Sequence, residues 1–233
     1  MLRLDRIISG SGLYTRSEAA ALIKDGRVSV GGRAALSGAE KHDPETACIE
    51  IDGTPLIYRK YTYIMMNKPA GYVSSTSDSR ERTVMELLGE RHIKLGLFPA
   101  GRLDKDAEGM LIMTNDGDFA HEIMSPTKNV SKKYYVQIDG AVSSEDISAF
   151  QQGMTLGCGT KCRPATLEPA PGGAHITLRE GKYHQVKRMM AALGKPVKYI
   201  KRVAIGGLTL DVGLKPGDYY ELTDENILKM LNK

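Results

Sequence analysis

The sequence predicts an α+β protein in two parts: a small N-terminal module, and a larger domain with a mostly antiparallel, mixed sheet flanked by helices. Three observations favour this fold class. The first 60 residues contain two short helical patterns followed by short alternating strands. Further along the chain, strand-like and helical patterns alternate without the regular βαβ spacing of a parallel sheet. The segment Tyr58-Arg-Lys-Tyr61 marks the transition, so we expect domains at residues 1–59 and 60–233.

The N-terminal module begins with two short helical patterns. Apolar residues recur at helical spacing at Leu4, Ile7 and Ile8, and Gly10-Ser-Gly12 ends this pattern. Thr15-Arg-Ser-Glu18 fits a capping box, in which both side chains satisfy free backbone N–H groups, so a second helix is expected to begin there. Two short strands with glycine-containing turns complete the module, and we place them at residues 27–30 and 48–51.

The larger domain shows eight strand patterns and five helical patterns. We place the strands at residues 62–66, 98–101, 110–114, 132–138, 164–169, 174–179, 197–205 and 218–222. We place the helices at residues 83–88, 117–124, 144–151, 184–193 and 224–231. The helix at 184–193 is the best defined, because an apolar stripe runs along it and Gly194 and Pro196 end it. Its first turns carry cations, so this end suits a phosphate or a carboxylate.

Composition excludes several classes of protein. The longest apolar runs, such as Tyr63-Ile-Met-Met66, are far too short to span a bilayer. The first residues, Met1-Leu-Arg-Leu-Asp-Arg6, contain no apolar segment with a cleavage site, so they do not form a secretory signal. We therefore expect a cytoplasmic protein with no membrane partner.

The three cysteines are Cys48, Cys158 and Cys162, too few for a disulfide framework. The spacing of Cys158-Gly-Thr-Lys-Cys162 could provide half of a metal site. However, no second pair or nearby histidine completes a set of four ligands. We expect structural thiols, and we expect neither a metal nor a cofactor.

Positive charge is concentrated in two zones, although the net charge is only +4. Residues 181–202 contain seven lysines and arginines and no acidic residue, and residues 1–33 contain six basic residues against three acidic ones. A run of charge is most often a solvated face. Two separate basic zones on a nearly neutral background indicate instead a polyanion that both zones contact.

The N-terminal motifs resemble those of the S4 RNA-binding module. In order they read Arg-Leu-Asp, Ser-Gly-Leu, Thr-Arg-Ser-Glu-Ala and Leu-Ile-Lys-Asp-Gly-Arg-Val, and they cover most of residues 2–33. The resemblance implies that this module binds structured RNA largely through phosphates and shape. The basic residues that we expect to contact RNA are Arg3, Arg6, Arg16, Lys24 and Arg27.

The most informative segment of the larger domain is the glycine-bounded loop that contains Gly101-Arg-Leu-Asp104. Asp104 lies close to Arg102 and between two short apolar runs. A carboxylate that is held off the bulk surface beside a cation is prepared to act as a nucleophile or base. The alternative is a solvated surface turn, since aspartate is common in turns.

Three further segments accompany this loop along the chain. They are Asn67-Lys-Pro-Ala-Gly71, Lys132-Lys-Tyr-Tyr-Val136 and Glu180-Gly-Lys-Tyr-His-Gln-Val-Lys-Arg-Met189. Together with Gly101-Arg-Leu-Asp104 they resemble the RsuA/RluB/RluE/RluF branch of pseudouridine synthases, which join an S4 module to a catalytic domain. Within that branch the last segment is most similar to the enzyme of small-subunit (16S) ribosomal RNA.

The resemblance implies a role for each residue of the site. Asp104 matches the nucleophile of the family, and Tyr134 matches the tyrosine that stacks on the base and accepts a proton from carbon 5. A cation must keep the carboxylate ionised, and the matching position is Lys187, where most relatives carry arginine. Whether Lys187 or Arg188 makes this contact is left open by the sequence. Ala107 stands where relatives usually carry threonine or serine, a change that we expect the loop to tolerate.

The same resemblance implies that ribosomal RNA is the partner of the larger domain, and we expect the protein to act as a monomer. An extruded base leaves a gap in its stack, and Arg102 is expected to fill it or to hold the loop near the phosphates. The residues of this domain that we expect to contact RNA are Lys68, Arg102, Lys132, Lys182 and His184.

Three alternative functions were considered. A 23S ribosomal RNA enzyme of the same family would share all four motifs. A non-catalytic RNA-binding protein would need the basic zones but not Asp104, Tyr134 and Lys187 together. A glycosidase would need two carboxylates at one pocket, whereas Asp104 and Asp106 alternate along the chain and are expected to point apart.

Overall fold

The computed structural model describes residues 1–157 and 159–231 and confirms the α+β fold class. The chain divides into two compact units. The first contains Met1–Thr62 together with Leu88–Leu97. The second contains Tyr63–Leu87 and the chain from Phe98 onward. The sequence analysis had placed residues 88–97 in the larger domain, because its boundary was a single point on the chain.

The first unit contains short helices and short strands. In chain order they are β1 (Leu2–Arg3), α1 (Leu4–Ser9), α2 (Arg16–Lys24), β2 (Val28–Val30), β3 (Arg33–Ala34), β4 (Lys41–His42), β5 (Ile49–Ile51), β6 (Thr54–Pro55) and α3 (Glu90–Lys94). The sheet order is β3-β2-β5-β6, all antiparallel, and β1 pairs with β4. The predicted capping box is confirmed: the Glu18 N–H donates to Thr15 Oγ1 (3.2 Å), and the Thr15 N–H donates to Glu18 Oε2 (2.6 Å).

Helix α3 joins the first unit through polar contacts with the α1–α2 connection. Arg91 Nε donates to the carbonyl oxygen of Ser11 (3.3 Å), and Lys94 Nζ donates to that of Leu13 (3.3 Å). Lys94 also forms an ion pair with Glu18 (3.6 Å). This five-residue helix has no apolar stripe that the sequence analysis could detect.

The second unit agrees closely with the predicted elements. They are β7 (Tyr63–Lys68), β8 (Phe98–Ala100), β9 (Glu108–Thr114), α4 (Gly117–Met124), β10 (Lys132–Ile138), α5 (Ser144–Gln152), β11 (Thr166–Ala170), β12 (Gly173–Leu178), α6 (Gln185–Ala192), β13 (Val197–Ile205), β14 (Leu208–Thr209), β15 (Tyr219–Glu221) and α7 (Asp224–Leu231). The helix expected at residues 83–88 is only a short 3-10 helix, Val84–Leu87.

One nine-stranded sheet forms the second unit. Its main order is β11-β12-β10-β13-β9-β7-β15, with β8 paired to β9 and β14 paired to β13. Between the strands named above, every pairing in the described part of this sheet is antiparallel except β9–β13, which is parallel. The prediction of a mixed, mostly antiparallel sheet is therefore confirmed.

A row of residues in register crosses four neighbouring strands of this sheet. Lys68 on β7 pairs with Gly109 on β9, Gly109 pairs with Arg202 on β13, and Arg202 pairs with Tyr134 on β10. Residues that pair directly across strands project to the same face, so Lys68, Arg202 and Tyr134 share one face. Gly109 has φ +100°, and a Cβ atom there would collide with the backbone of Arg202. Glycine is what allows β9 and β13 to approach each other here.

The cysteines form no pair in the described residues. Cys48 is exposed and Cys162 is buried, and both are free thiols. Cys158, which the sequence analysis considered together with Cys162, lies outside the described residues. In the described part of the chain, no helix has the length and apolar character needed to cross a bilayer.

Candidate active site

The loop that carries Asp104 is held by a buried ammonium group. Lys68 at the end of β7 is fully buried, and its Nζ donates to the carbonyl oxygens of Pro69 (3.0 Å), Asp104 (3.2 Å), Lys105 (3.3 Å) and Ala107 (2.7 Å). Three of these four carbonyl groups belong to the loop between β8 and β9. The ammonium therefore holds the main chain at Asp104 and in the three residues that follow it.

Two further contacts tie the same loop to the turn that follows β7. Ser74 Oγ donates to the carbonyl oxygen of Leu103 (3.0 Å) and accepts from its N–H (3.1 Å). The Gly71 N–H donates to the carbonyl oxygen of Lys105 (2.8 Å). Ala107 takes part through its backbone alone, because its N–H donates to the carbonyl oxygen of Asp104 (3.1 Å). The loop is closed without the hydroxyl group that relatives usually carry at this position.

The prediction that Lys68 and Lys132 contact RNA is wrong, because both side chains are buried. Lys68 is 0% exposed and Lys132 is 3% exposed. Lys132 Nζ donates to the carbonyl oxygen of Val130 (2.9 Å). The pKa of each lysine is lowered to about 8, mainly because burial disfavours the charged form, and the charge of Arg202 contributes in the same direction. Nearby carboxylates, that of Asp106 first among them, act on the pKa of Lys68 in the opposite direction.

The carboxylate of Asp104 lies between the side chains of Lys187, in the first turn of α6, and His184, the residue before that helix. Its Oδ2 is 3.4 Å from Lys187 Nζ, and its Oδ1 is 3.5 Å from His184 Nε2. The side chain is one-third exposed, so it is accessible from solvent yet flanked on both oxygens. Lys187, one of the two candidates that the sequence left open, forms an ion pair with Asp104.

Lys187 is shared by two carboxylates. Its Nζ is 2.6 Å from Asp106 Oδ1, so Asp104 and Asp106 converge on one ammonium group instead of pointing apart as the sequence analysis expected. Partial burial by itself lowers the pKa of Lys187, but the hydrogen bond to Asp106 and the charges of both aspartates outweigh it and raise this pKa. The hydrogen bond from Lys187 holds the pKa of Asp106 below its ordinary value.

The segment before α6 is fixed by a short network of hydrogen bonds. Gln185 Nε2 donates to Glu180 Oε1 (2.7 Å), and Gln185 Oε1 accepts from the Lys182 N–H (3.0 Å). His184, the residue before the helix, has the left-handed conformation φ 47°, ψ 35°. Arg188 Nη1 donates to the carbonyl oxygen of Tyr183 (3.2 Å). A non-glycine residue with positive φ carries backbone strain, which the surrounding contacts must hold.

Tyr134 lies in the middle of β10, between Ile176 on β12 and Arg202 on β13. Its side chain is half-buried, so part of the ring remains accessible. The Arg202 side chain is buried, and its Nε donates to the carbonyl oxygen of Met110 (2.8 Å). Its buried Nη2 has no hydrogen-bond partner among the described residues. The sequence analysis assigned Arg202 only to a basic zone, although it is one of three cations buried in this part of the sheet.

The remaining basic residues that were expected to contact RNA lie on the surface of their units. In the second unit these are Arg102 and Lys182, which are exposed, and His184, which is half-buried. In the first unit Arg3, Arg6, Arg16, Lys24 and Arg27 are all exposed. Several of them have acidic neighbours. Arg3 and Arg16 lie 2.7 and 3.6 Å from Asp5, and Arg27 forms an ion pair with Asp52.

Comparison with known proteins agrees with this arrangement. The family model described as RNA pseudouridylate synthase matches residues 62–192, and that of the S4 domain matches residues 2–43. A solved structure titled as a crystal structure of pseudouridylate synthase is 34% identical, has a TM-score of 0.69, and covers 99% of this chain and 100% of its own.

Two curated relatives match over nearly their whole length. The uncharacterized RNA pseudouridine synthase YtzG of Bacillus subtilis (strain 168) is 44% identical over 100% of this chain and 99% of that protein. Ribosomal small subunit pseudouridine synthase A of Escherichia coli (strain K12) is 39% identical over 99% of this chain and 100% of that protein.

An S4 module and a catalytic unit with a loop-held aspartate beside a cationic helix start define an RNA-modifying enzyme. The chain belongs to the RNA pseudouridylate synthase family. It is an RNA pseudouridine synthase, as the resemblance of its motifs implied.

Replacement of Lys68 separates a role in holding the loop from a role in binding RNA. We expect Lys68→Met to lower kcat by about a hundredfold, because a small displacement of the Asp104 carboxylate is costly to the reaction. RNA affinity and its salt dependence should stay at the wild-type level, because a buried ammonium neutralises no phosphate. Arg102→Met is the exposed control, and it should weaken binding. If filter binding shows equal losses of RNA affinity in the two variants, Lys68 contacts RNA and does not act only by holding the loop.

Replacement of Lys132 should change how the free energy of unfolding depends on pH. The pKa of Lys132 is about 8 in the folded protein, against an ordinary value of 10.5. Between these values the unfolded chain holds a proton that the folded protein has released, so Lys132 opposes folding less as pH rises. The free energy of unfolding of wild type relative to Lys132→Met should therefore increase by about 1–3 kcal/mol from pH 7 to 10.5. If urea titrations give the same difference in free energy at pH 7 and pH 10.5, the lowered pKa of Lys132 is wrong.

Proposed function

We propose that this enzyme converts a uridine of small-subunit (16S) ribosomal RNA to pseudouridine, with Asp104 as the nucleophile. The observation that carries the proposal is the position of the Asp104 carboxylate. It is accessible from solvent, its loop is fixed by the Lys68 ammonium, and its two oxygens face Lys187 and His184. The small-subunit target rests on full-length similarity to relatives named ribosomal small subunit pseudouridine synthase A.

The reaction breaks the bond between ribose carbon 1′ and uracil nitrogen 1 and forms a bond from carbon 1′ to uracil carbon 5. Nitrogen 1 gains a proton, and carbon 5 loses one, so the reaction is an isomerisation. An ionised carboxylate begins it by attack, either on the sugar or on the uracil ring. In this proposal Asp104 makes that attack, and the phenol of Tyr134 stacks on the base and accepts the proton from carbon 5.

The nearest cation to the proposed nucleophile is held by two carboxylates. Lys187 Nζ lies 3.4 Å from Asp104 Oδ2 and 2.6 Å from Asp106 Oδ1. Because the same ammonium binds Asp106 more closely, Asp106 holds Lys187 in place beside the nucleophile. A lysine gives a single charge without the two-pronged geometry of arginine, and the second carboxylate compensates by fixing where that charge lies.

Recognition of the RNA is assigned to both units. The exposed cations of the first unit contact phosphates of structured RNA, and Arg102, Lys182 and His184 contact the RNA near the reacting uridine. In this proposal the enzyme acts as a monomer in the cytoplasm, on ribosomal RNA that ribosomal proteins have partly folded. The small S4 module has few groups that could read base edges, so a local RNA fold supplies the specificity.

Asp104→Asn and Asp106→Asn form a matched pair that tests the nucleophile, because both carboxylates contact Lys187 but only one is in the position to attack. On RNA tritiated at uracil carbon 5, Asp104→Asn should abolish tritium release while RNA affinity changes little. Asp106→Asn should keep activity within about tenfold of wild type, because the amide oxygen can still accept the hydrogen bond that holds Lys187 beside Asp104. Unaltered turnover by Asp104→Asn would eliminate Asp104 as the nucleophile.

The target is tested by mapping modified nucleotides on both ribosomal RNAs. We expect one pseudouridine in 16S RNA and none in 23S RNA after incubation with the purified enzyme. The rate should be higher on a partly assembled small subunit than on naked 16S RNA. Modification confined to 23S RNA would replace the proposed target with that of the large-subunit enzymes, and equal rates on the two 16S substrates would remove the role of ribosomal proteins.

A further inference from the structure

Tyr183 is the most exposed aromatic side chain of the protein. The chain has eleven tyrosines, three phenylalanines and no tryptophan, all within the described residues. Tyr183 is 76% exposed, whereas the other thirteen rings are buried or half-buried. A single exposed apolar residue is common on protein surfaces and indicates no function by itself. The position of this ring beside the active site is what gives it significance.

The Tyr183 ring lies flat on the imidazole of His184. Their centroids are 3.8 Å apart and their planes differ by 18°, and the edge of the same imidazole places Nε2 3.5 Å from Asp104 Oδ1. One face of the phenol ring is therefore covered, and the other is directed away from the imidazole. The stacked pair forms a flat, two-ring platform, in which His184 lies next to Asp104 and Tyr183 lies on the far side of His184.

The platform is built into the fold and held in place. His184 adopts a left-handed conformation, which is strained in a residue other than glycine and persists only where neighbouring contacts impose it. Those contacts are the hydrogen bonds of Gln185 with Glu180 and Lys182, and the hydrogen bond from Arg188 to the Tyr183 carbonyl. The backbone that presents the Tyr183 ring is thus fixed, although the ring itself is exposed.

We propose that the free face of Tyr183 binds the base of a nucleotide next to the target uridine, an inference that rests on the proposed function. Base–aromatic stacking is available to any base, so this contact would position the strand without reading its sequence. The adjoining residues suit an RNA strand, because residues 181–202 contain no acidic side chain and Lys182 is exposed.

Distance excludes the target uracil itself as the occupant. A base on the free face of Tyr183 would lie two ring contacts, about 7 Å, from the plane of the imidazole. The reacting atoms must come within about 3–3.5 Å of Asp104, whose oxygen lies near the imidazole edge. The base on Tyr183 is therefore a neighbour in the strand, and its stacking would hold the strand while the uridine is turned out of its stack.

The test combines substitutions of Tyr183 with RNA that lacks a base. Tyr183→Ala should raise KM by about 5- to 150-fold, the range expected for one lost base–aromatic stack, with kcat nearly unchanged. Tyr183→Phe keeps the flat ring and should match wild type, whereas Tyr183→Leu keeps an apolar side chain of moderate size and should behave like Tyr183→Ala. Two further RNAs each lack one base, either just before or just after the target uridine. On one of these two abasic RNAs, wild type and Tyr183→Ala should have the same KM.

The outcomes separate this inference from the proposed function. If wild type modifies uridine but Tyr183→Ala has an unchanged KM, the stacking contact is wrong and the proposed function stands. The same holds if KM of Tyr183→Ala rises equally on intact RNA and on both abasic RNAs, or if kcat falls in place of the rise in KM, as a disturbed His184 would cause. If wild type modifies no uridine in either ribosomal RNA, both fail.

Discussion

The hydrogen bonds of the Lys68 ammonium are the interaction on which the active site depends. A buried ammonium must bind several acceptors, and here they are the main-chain carbonyl groups of Pro69, Asp104, Lys105 and Ala107. The charge that stabilises the loop is itself disfavoured by burial, which lowers its pKa to about 8. The protein therefore keeps a costly buried cation, and that cation ties the main chain of the Asp104 loop to the end of β7.

A second layer of charge lies at the surface of the same loop. Asp104, Asp106 and Lys187 form a triad in which one ammonium serves two carboxylates at different distances. Asp106 is the closer and more exposed of the two carboxylates, and Asp104 is the more distant and one-third exposed. A lysine lacks the planar fork of arginine, so its orientation here is supplied by the neighbouring acid and not by the shape of the cation.

The sequence predicted nearly every helix and strand of the second unit, because their apolar patterns are long and their ends carry glycine or proline. Its motifs also indicated Asp104, Tyr134 and Lys187 as candidate site residues, and the structure places Lys187 beside Asp104. It was wrong about Lys68 and Lys132, since the letters of a sequence show that a residue is basic but not whether its side chain reaches solvent. The convergence of two aspartates on one lysine depends on a helix some 80 residues away, and local alternation could not predict it.

The parallel contact between β9 and β13 has a consequence for the order in which the two units can be completed. Strand β13 lies between β9 and β10, so it joins the half of the sheet that holds the Asp104 loop to the half that holds Tyr134. Its residues are separated from those of β9 by roughly 90 positions, so a long loop must close before the two strands can pair. The first unit needs only residues up to Leu97, whereas this sheet needs β13, which ends at Ile205. During synthesis all residues of the first unit are therefore present well before those of the sheet.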